Sequence, residues 1–312
     1  MYRSRYWSGV LVLTPFLVLS TAGQSKSAAK GEVDKGLICL ARGDFDGAIE
    51  NFTRAIDIGS HHEARSGSGE SANLKLKMNS GNSTSGEVTF IDPLTATAYS
   101  NRGVAWVHKG DLDRALADFE QALAINPGLG DAYQNRGWIR WTRGDLDGAI
   151  ADFDRVISLA PDRAKAYGLR GAALMDQNDL RKALKDLDRS VGLDPRRPET
   201  FCDRGRARRL FKDPRGALTD FAMAANLNPQ LACAPYGQGL VRFAQGDWGQ
   251  AIKHFTHAIE LDPKLGLAYA LRGLAFKRLG RTAEAERDLA ESIRLDFRLK
   301  PYLHAGSLPS PR

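Results

Sequence analysis

Five arginines stand immediately before glycines at a fixed step: Arg102, Arg136, Arg170, Arg204 and Arg272. A row of guanidinium groups is the equipment for holding carboxylates or phosphates through paired N–H donors. The chain also carries its own anions. An aspartate follows each arginine by sixteen residues: Asp118, Asp152, Asp186, Asp220 and Asp288. Where Gln238 replaces the arginine, His254 replaces the aspartate, and at the matching places near the start stand Lys35 and Asn51. Positions that change together read as an ion pair inside the protein. Two readings are thus set against each other: a ladder for external anions, or internal pairs joining two helices. The paired changes favour the second.

Other chemistry is sparse. His254 and His257 are spaced to share one helix face, but no third metal ligand accompanies them, so no metal site is expected. No glycine-rich phosphate loop, nucleophile elbow or paired-histidine zinc motif occurs, so neither enzyme activity nor a cofactor is expected. Arg204, Arg206, Arg208 and Arg209 cluster, but on a helix they divide between two faces, and no nucleic-acid partner is expected. Three cysteines do not make a disulfide framework. Cys39 reads as core. Cys202 and Cys233 fall near corresponding faces of neighbouring helices, and their separation is not readable from sequence.

The elements that position these residues repeat every 34 residues. The glycines are Gly103, Gly137, Gly171, Gly205, Gly239 and Gly273. Twelve residues on come Ala115, Ala149, Ala183, Ala217, Ala251 and Ala285, and four further Phe119, Phe153, Leu187, Phe221, Phe255 and Leu289. Pro127, Pro161, Pro195, Pro229 and Pro263 close five of the six repeats. Each repeat reads as two helices and a turn. Asp131 to Thr142 and Leu146 to Leu159 are one such pair, with Asp145 placed to cap the second helix. Asp111, Asp179, Asp213 and Asp247 recur at that capping place. Glycine and alanine let the two helices approach, and the aromatic fills the space beside them.

Tyr99, Tyr133, Tyr167, Phe201 and Tyr269 stand four residues before the glycines and complete a pattern that resembles the tetratricopeptide repeat family. The resemblance implies an all-α, right-handed solenoid of antiparallel helix pairs that binds a protein or peptide partner along a concave groove. The groove residues it implies are Asn101, Val104, Val107, Asn135, Trp138, Trp141, Met175, Arg206, Arg209 and Phe243. Trp138 and Trp141 then either anchor an apolar residue of the partner or pack between repeats, and Arg206 with Arg209 suits an acidic residue. The family's carboxylate clamp is not implied, because Ser100 and Val104 occupy its basic and amide positions.

Outside the main array the composition shifts. Residues 1–22 read as a signal peptide: Arg3 and Arg5, the apolar run Gly9 to Leu19, then the small residues Ser20, Thr21 and Ala22. Export to the periplasm or exterior is expected, with retention as a membrane anchor the alternative, and membrane contact only in that case. Residues 23–62 hold a seventh, looser helix pair with Gly36, Ala48 and Phe52. Residues 63–95 are a Ser, Gly and Asn-rich insertion, 96–299 the six tandem repeats, and 300–312 a tail. The first pair is expected to stack on the array. At the far end either Phe297, Leu299, Tyr302 and Leu303 or a second chain is expected to cover the last repeat. The net charge of +7 and pI near 9.3 permit an acidic partner without demanding one. The expected function is a binding scaffold or adaptor of the cell envelope, or else an anchored assembly factor or accessory subunit.

Overall fold

A computed structural model describes residues 27–65 and 93–301. Within them every regular element is a helix, and helices pack in consecutive antiparallel-type pairs. The chain is an all-α repeat solenoid by class. The helices fall into two compact units, which part within α5 at Ile139 and Arg140. The first unit holds α1 (Ser27–Ala41), α2 (Phe45–Arg65), α3 (Pro93–Lys109) and α4 (Leu112–Ile125). Helix α5 (Gly130–Arg143) spans the division. The second unit holds α6 (Leu146–Leu159), α7 (Ala164–Asp176), α8 (Leu180–Leu193), α9 (Pro198–Leu210) and α10 (Pro214–Leu227). It continues with α11 (Cys233–Ala244), α12 (Trp248–Leu261), α13 (Gly266–Arg278) and α14 (Thr282–Leu295). The signal-like segment, the centre of the insertion and the tail from residue 302 on lie outside the described residues. So do Tyr302 and Leu303.

The aspartates cap as their spacing predicts. Asp111, Asp145, Asp179, Asp213 and Asp247 each accept from the backbone N–H three residues on, which satisfies one orphan donor of the second helix. The turn before each cap needs a left-handed residue. Gly144 supplies it at φ 93°, whereas Asn178 and Lys212 adopt it at 70° and 63° with a side chain in place. That conformation costs a non-glycine residue roughly 1 kcal/mol.

The first pair stacks directly on the array. Val33, Ala48, Phe52, Ala55 and Ile56 from α1 and α2 share one buried cluster with Ala98 and Ala105 of α3. Phe45 stacks on His108 with ring centres 4.6 Å apart. Helix α2 runs to Arg65 and α3 begins at Pro93, so the inserted segment is shorter than the pattern break suggests. At the other end a 3-10 turn at Phe297–Leu299 buries Leu299 and leaves Phe297 77% exposed. Only one of those two residues covers α14.

The repeating glycine marks the closest approach inside a pair. A Cβ at Gly171 would lie 2.9 Å from Leu187 Cγ and 3.2 Å from the Ala183 carbonyl oxygen. At Gly239 it would lie 2.5 Å from the Phe255 ring. Leu187 can turn aside but the Ala183 backbone cannot. Gly171→Val is therefore expected to cost about 1–3 kcal/mol, overpacking outweighing the gain in helix propensity over glycine. A urea melt with an unchanged midpoint would contradict this close-packing account.

Candidate functional site

The arginine ladder is turned inward. Arg102 Nε and Nη2 donate to the Asp118 carboxylate at 2.9 and 2.8 Å, and Arg170 does the same to Asp186 at 2.6 and 2.7 Å. Arg204 with Asp220 and Arg272 with Asp288 repeat the paired geometry. The Asp186 carboxylate holds the Arg170 guanidinium above its ordinary pKa. Each arginine lies over the aromatic three residues before it, between 5.2 and 5.7 Å from the ring centre. Asp152 accepts from Arg140 Nη1 at 2.9 Å, and Arg136 lies over Tyr133. Lys35 pairs with Glu32 rather than with Asn51.

The third donor of the arginines was missed by sequence reasoning. Nη1 of Arg102 reaches Thr53, that of Arg170 reaches Asp154, that of Arg204 reaches Asp188, and that of Arg272 reaches Thr256. All four acceptors stand two residues after the paired position of the preceding repeat. Each arginine thereby ties its own helix to the second helices of two successive pairs. A second arginine row, Arg140 and Arg208, donates to Asp152 and Asp220 from twelve residues upstream. With these donors engaged on the chain's own carboxylates and threonine hydroxyls, Arg102, Arg170, Arg204 and Arg272 do not present an external anion site.

The groove residues implied by the resemblance divide between the two units. In the first unit Asn101, Val104 and Asn135 come together with Thr97, Ser100, Gly128, Leu129, Gly130 and Asp131 around a cleft of about 50 Å³. Asn101 is 3% exposed, and its Nδ2 is buried with no hydrogen-bond partner among the described residues. Leaving such a donor unmade costs roughly 1–3 kcal/mol. Val107 and Trp138 are half-buried and lie outside this cleft's lining.

In the second unit Trp141 is 7% exposed, and its Nε1 donates to Asp176 Oδ2 of α7 at 2.8 Å. The indole is packed with its one N–H engaged by the protein itself. The reason is that α7 brings a carboxylate to the only polar atom of the ring. Met175 is buried. Phe243 is half-buried and meets Trp248 edge-on at 5.0 Å. Arg206 donates to Asp203 at 3.3 Å. Burial raises the Asp203 pKa to about 7, against the pull of Arg206 and with Glu199 and Asp176 adding to the rise. Burial likewise lowers the Arg209 pKa, and Arg206 adds to that. Arg206 and Arg209 are thus committed in part to neighbours on the protein.

Cys202 and Cys233 form a disulfide between α9 and α11, with their Cα atoms 6.2 Å apart. The sequence left this pairing open, and the structure closes it. The two cysteines occupy different places within their repeats, so comparing repeats could not pair them. Among the described residues no group of three or more potential ligands could hold a metal ion, and no helix is long and apolar enough to cross a membrane.

Models of the tetratricopeptide repeat match residues 96–129, 135–198, 239–280 and 267–298. The chain belongs to the tetratricopeptide repeat family. A tetratricopeptide repeat protein from Parabacteroides merdae superposes with a TM-score of 0.65 over 89% of this chain and 96% of its own, at 15% identity. PilW, a type IV pilus biogenesis factor, does so with 0.59 over 65% of this chain and 94% of its own, at 19% identity. PilF of Pseudomonas aeruginosa gives 0.57 over 67% and 96%, at 17% identity. At these identities the likeness shows the fold alone. No curated protein matches the chain. Tetratricopeptide repeats bind proteins or peptides.

Proposed function

We propose that this tetratricopeptide repeat protein is an exported, non-catalytic scaffold that reads the main chain of an extended peptide segment in the cleft between α3 and the start of α5. The observation that carries this reading is the Asn101 amide. A buried donor without a partner is costly, and a peptide carbonyl entering the cleft would satisfy it. Asn135 repeats the amide one period on, so two contacts with one extended chain fall in register. Val104 and Leu129 give the cleft an apolar wall, and Asp131 at its rim favours a donor on the ligand.

Export is supported by two independent features. Residues 1–22 have the order of a secretory signal, and the Cys202–Cys233 disulfide belongs in an oxidising compartment. A mature N-terminus near Gly23 is the expected sequencing result; an intact Met1 would instead place the protein on an anchor.

Asn101→Ala combined with Asn135→Ala is expected to weaken capture of envelope partners by about tenfold, two net hydrogen bonds' worth, with the helix content by circular dichroism unchanged. Unchanged capture by the double variant would remove the cleft from the binding surface.

A further inference from the structure

The pair α9/α10 shows how acid is supplied at a junction between pairs. Arg204 meets the buried Asp220 on one side and Asp188 of the preceding pair on the other. Arg208, one turn on, donates to Asp220 at 2.9 Å and lies 3.9 Å from Asp188. Asp188 is 56% exposed, so this acid reaches the junction from the solvent side.

In α11/α12 three of these four positions change character. Gln238 stands for the arginine, His254 for the buried aspartate, and Ala222, exposed on α10, for the outer acid. The second arginine remains as Arg242. Its Nε is buried with no hydrogen-bond partner among the described residues, and its Nη1 reaches only the Gln245 side chain at 3.3 Å. The junction has kept its cation and lost both acids. Burial, then the Arg242 charge, push His254 below its ordinary pKa. His257 and Lys253 on the same helix push the same way, and Asp247 at the helix cap pulls against them. Arg272 of α13 is turned to Asp288 and Thr256.

We propose that this junction is an oxyanion site. A carboxylate or phosphate group enters over Ala222, where Asp188 stands one repeat earlier, and accepts from Arg242 Nε and the Gln238 amide. His254 adds a second charge when protonated. Arg242 then gains the acid that Arg208 draws from the chain itself.

The test follows the titration of His254 by NMR in the full chain at constant ionic strength. The baseline is chloride; the probes are inorganic phosphate, acetate and hexaglutamate. Phosphate is expected to move the midpoint up by about half a pH unit, because a bound anion favours the charged imidazole. Ala222→Asp should raise the midpoint in chloride and cancel the response to phosphate. Arg242→Gln should abolish the response. Phosphate and acetate acting with no advantage to the peptide would assign a free oxyanion. Hexaglutamate acting at a concentration about tenfold lower than acetate would assign an acidic side chain of a bound protein. An identical midpoint in chloride and with all three probes overturns the site, as does a shift that survives undiminished in Arg242→Gln.

Discussion

Asp220→Ala is expected to destabilise the protein by about 3–5 kcal/mol, the usual consequence of removing one partner from a buried ion pair. The Asp220 side chain is 1% exposed and accepts from two arginines, Arg204 through two nitrogens and Arg208 through one. Alanine takes from both guanidinium groups the buried carboxylate that they share. Asp188→Ala is the control. That carboxylate pairs with the same Arg204 but is 56% exposed, so its loss should cost under about 1 kcal/mol. Helix pairs in a repeat array lean on their neighbours, so the loss is best read where it arises. Hydrogen exchange of the α9 and α10 amides should accelerate strongly in Asp220→Ala and little in Asp188→Ala. Equal acceleration in the two variants would mean that burial does not set the value of the pair.

Reducing the Cys202–Cys233 bond is expected to lower stability by about 3–4 kcal/mol, the chain-entropy value for closing a loop of 31 residues. Denaturant midpoints with and without reductant give the measurement. The double variant Cys202→Ser, Cys233→Ser should match the reduced wild type and be indifferent to reductant. Finding three free thiols in the unreduced protein would refute the bond directly. Cys39 is the one free cysteine among the described residues and should react alone.

How far these features can be read from sequence depends on distance along the chain. The helix pairs, their aspartate caps and the arginine–aspartate pairs lie within one repeat, and six copies in register expose them. Comparing Arg170 with Gln238, and Asp186 with His254, was enough to turn the ladder inward. Contacts between repeats are a different matter. The third donor of Arg102, Arg170, Arg204 and Arg272 reaches the preceding pair, and nothing within one repeat states how closely pairs stack. The acceptors do carry a signal, since Thr53, Asp154, Asp188 and Thr256 share one repeat position, with Ala222 standing there before Gln238. For Trp141 the sequence leaves anchor and packing open, because the Asp176 that meets its Nε1 comes from the next repeat. The disulfide is the least legible. Cys202 precedes its glycine by three residues and Cys233 by six, so only the path between α10 and α11 brings them together.

That bond acquires a mechanical meaning from where it falls. In the second unit Arg170, Arg204 and Arg272 each fasten a pair to the one before it, and α11 carries Gln238 at the arginine's place, with Ala222 at the acceptor's. The covalent link from α9 to α11 crosses that same junction. An array pulled from its two ends transmits tension through every junction in series, and the weakest yields first. While oxidised, the unfastened junction is held by a covalent bond and is not that weak point. Once reduced, it has neither fastening, and within the second unit α11 is where the pairs should first part.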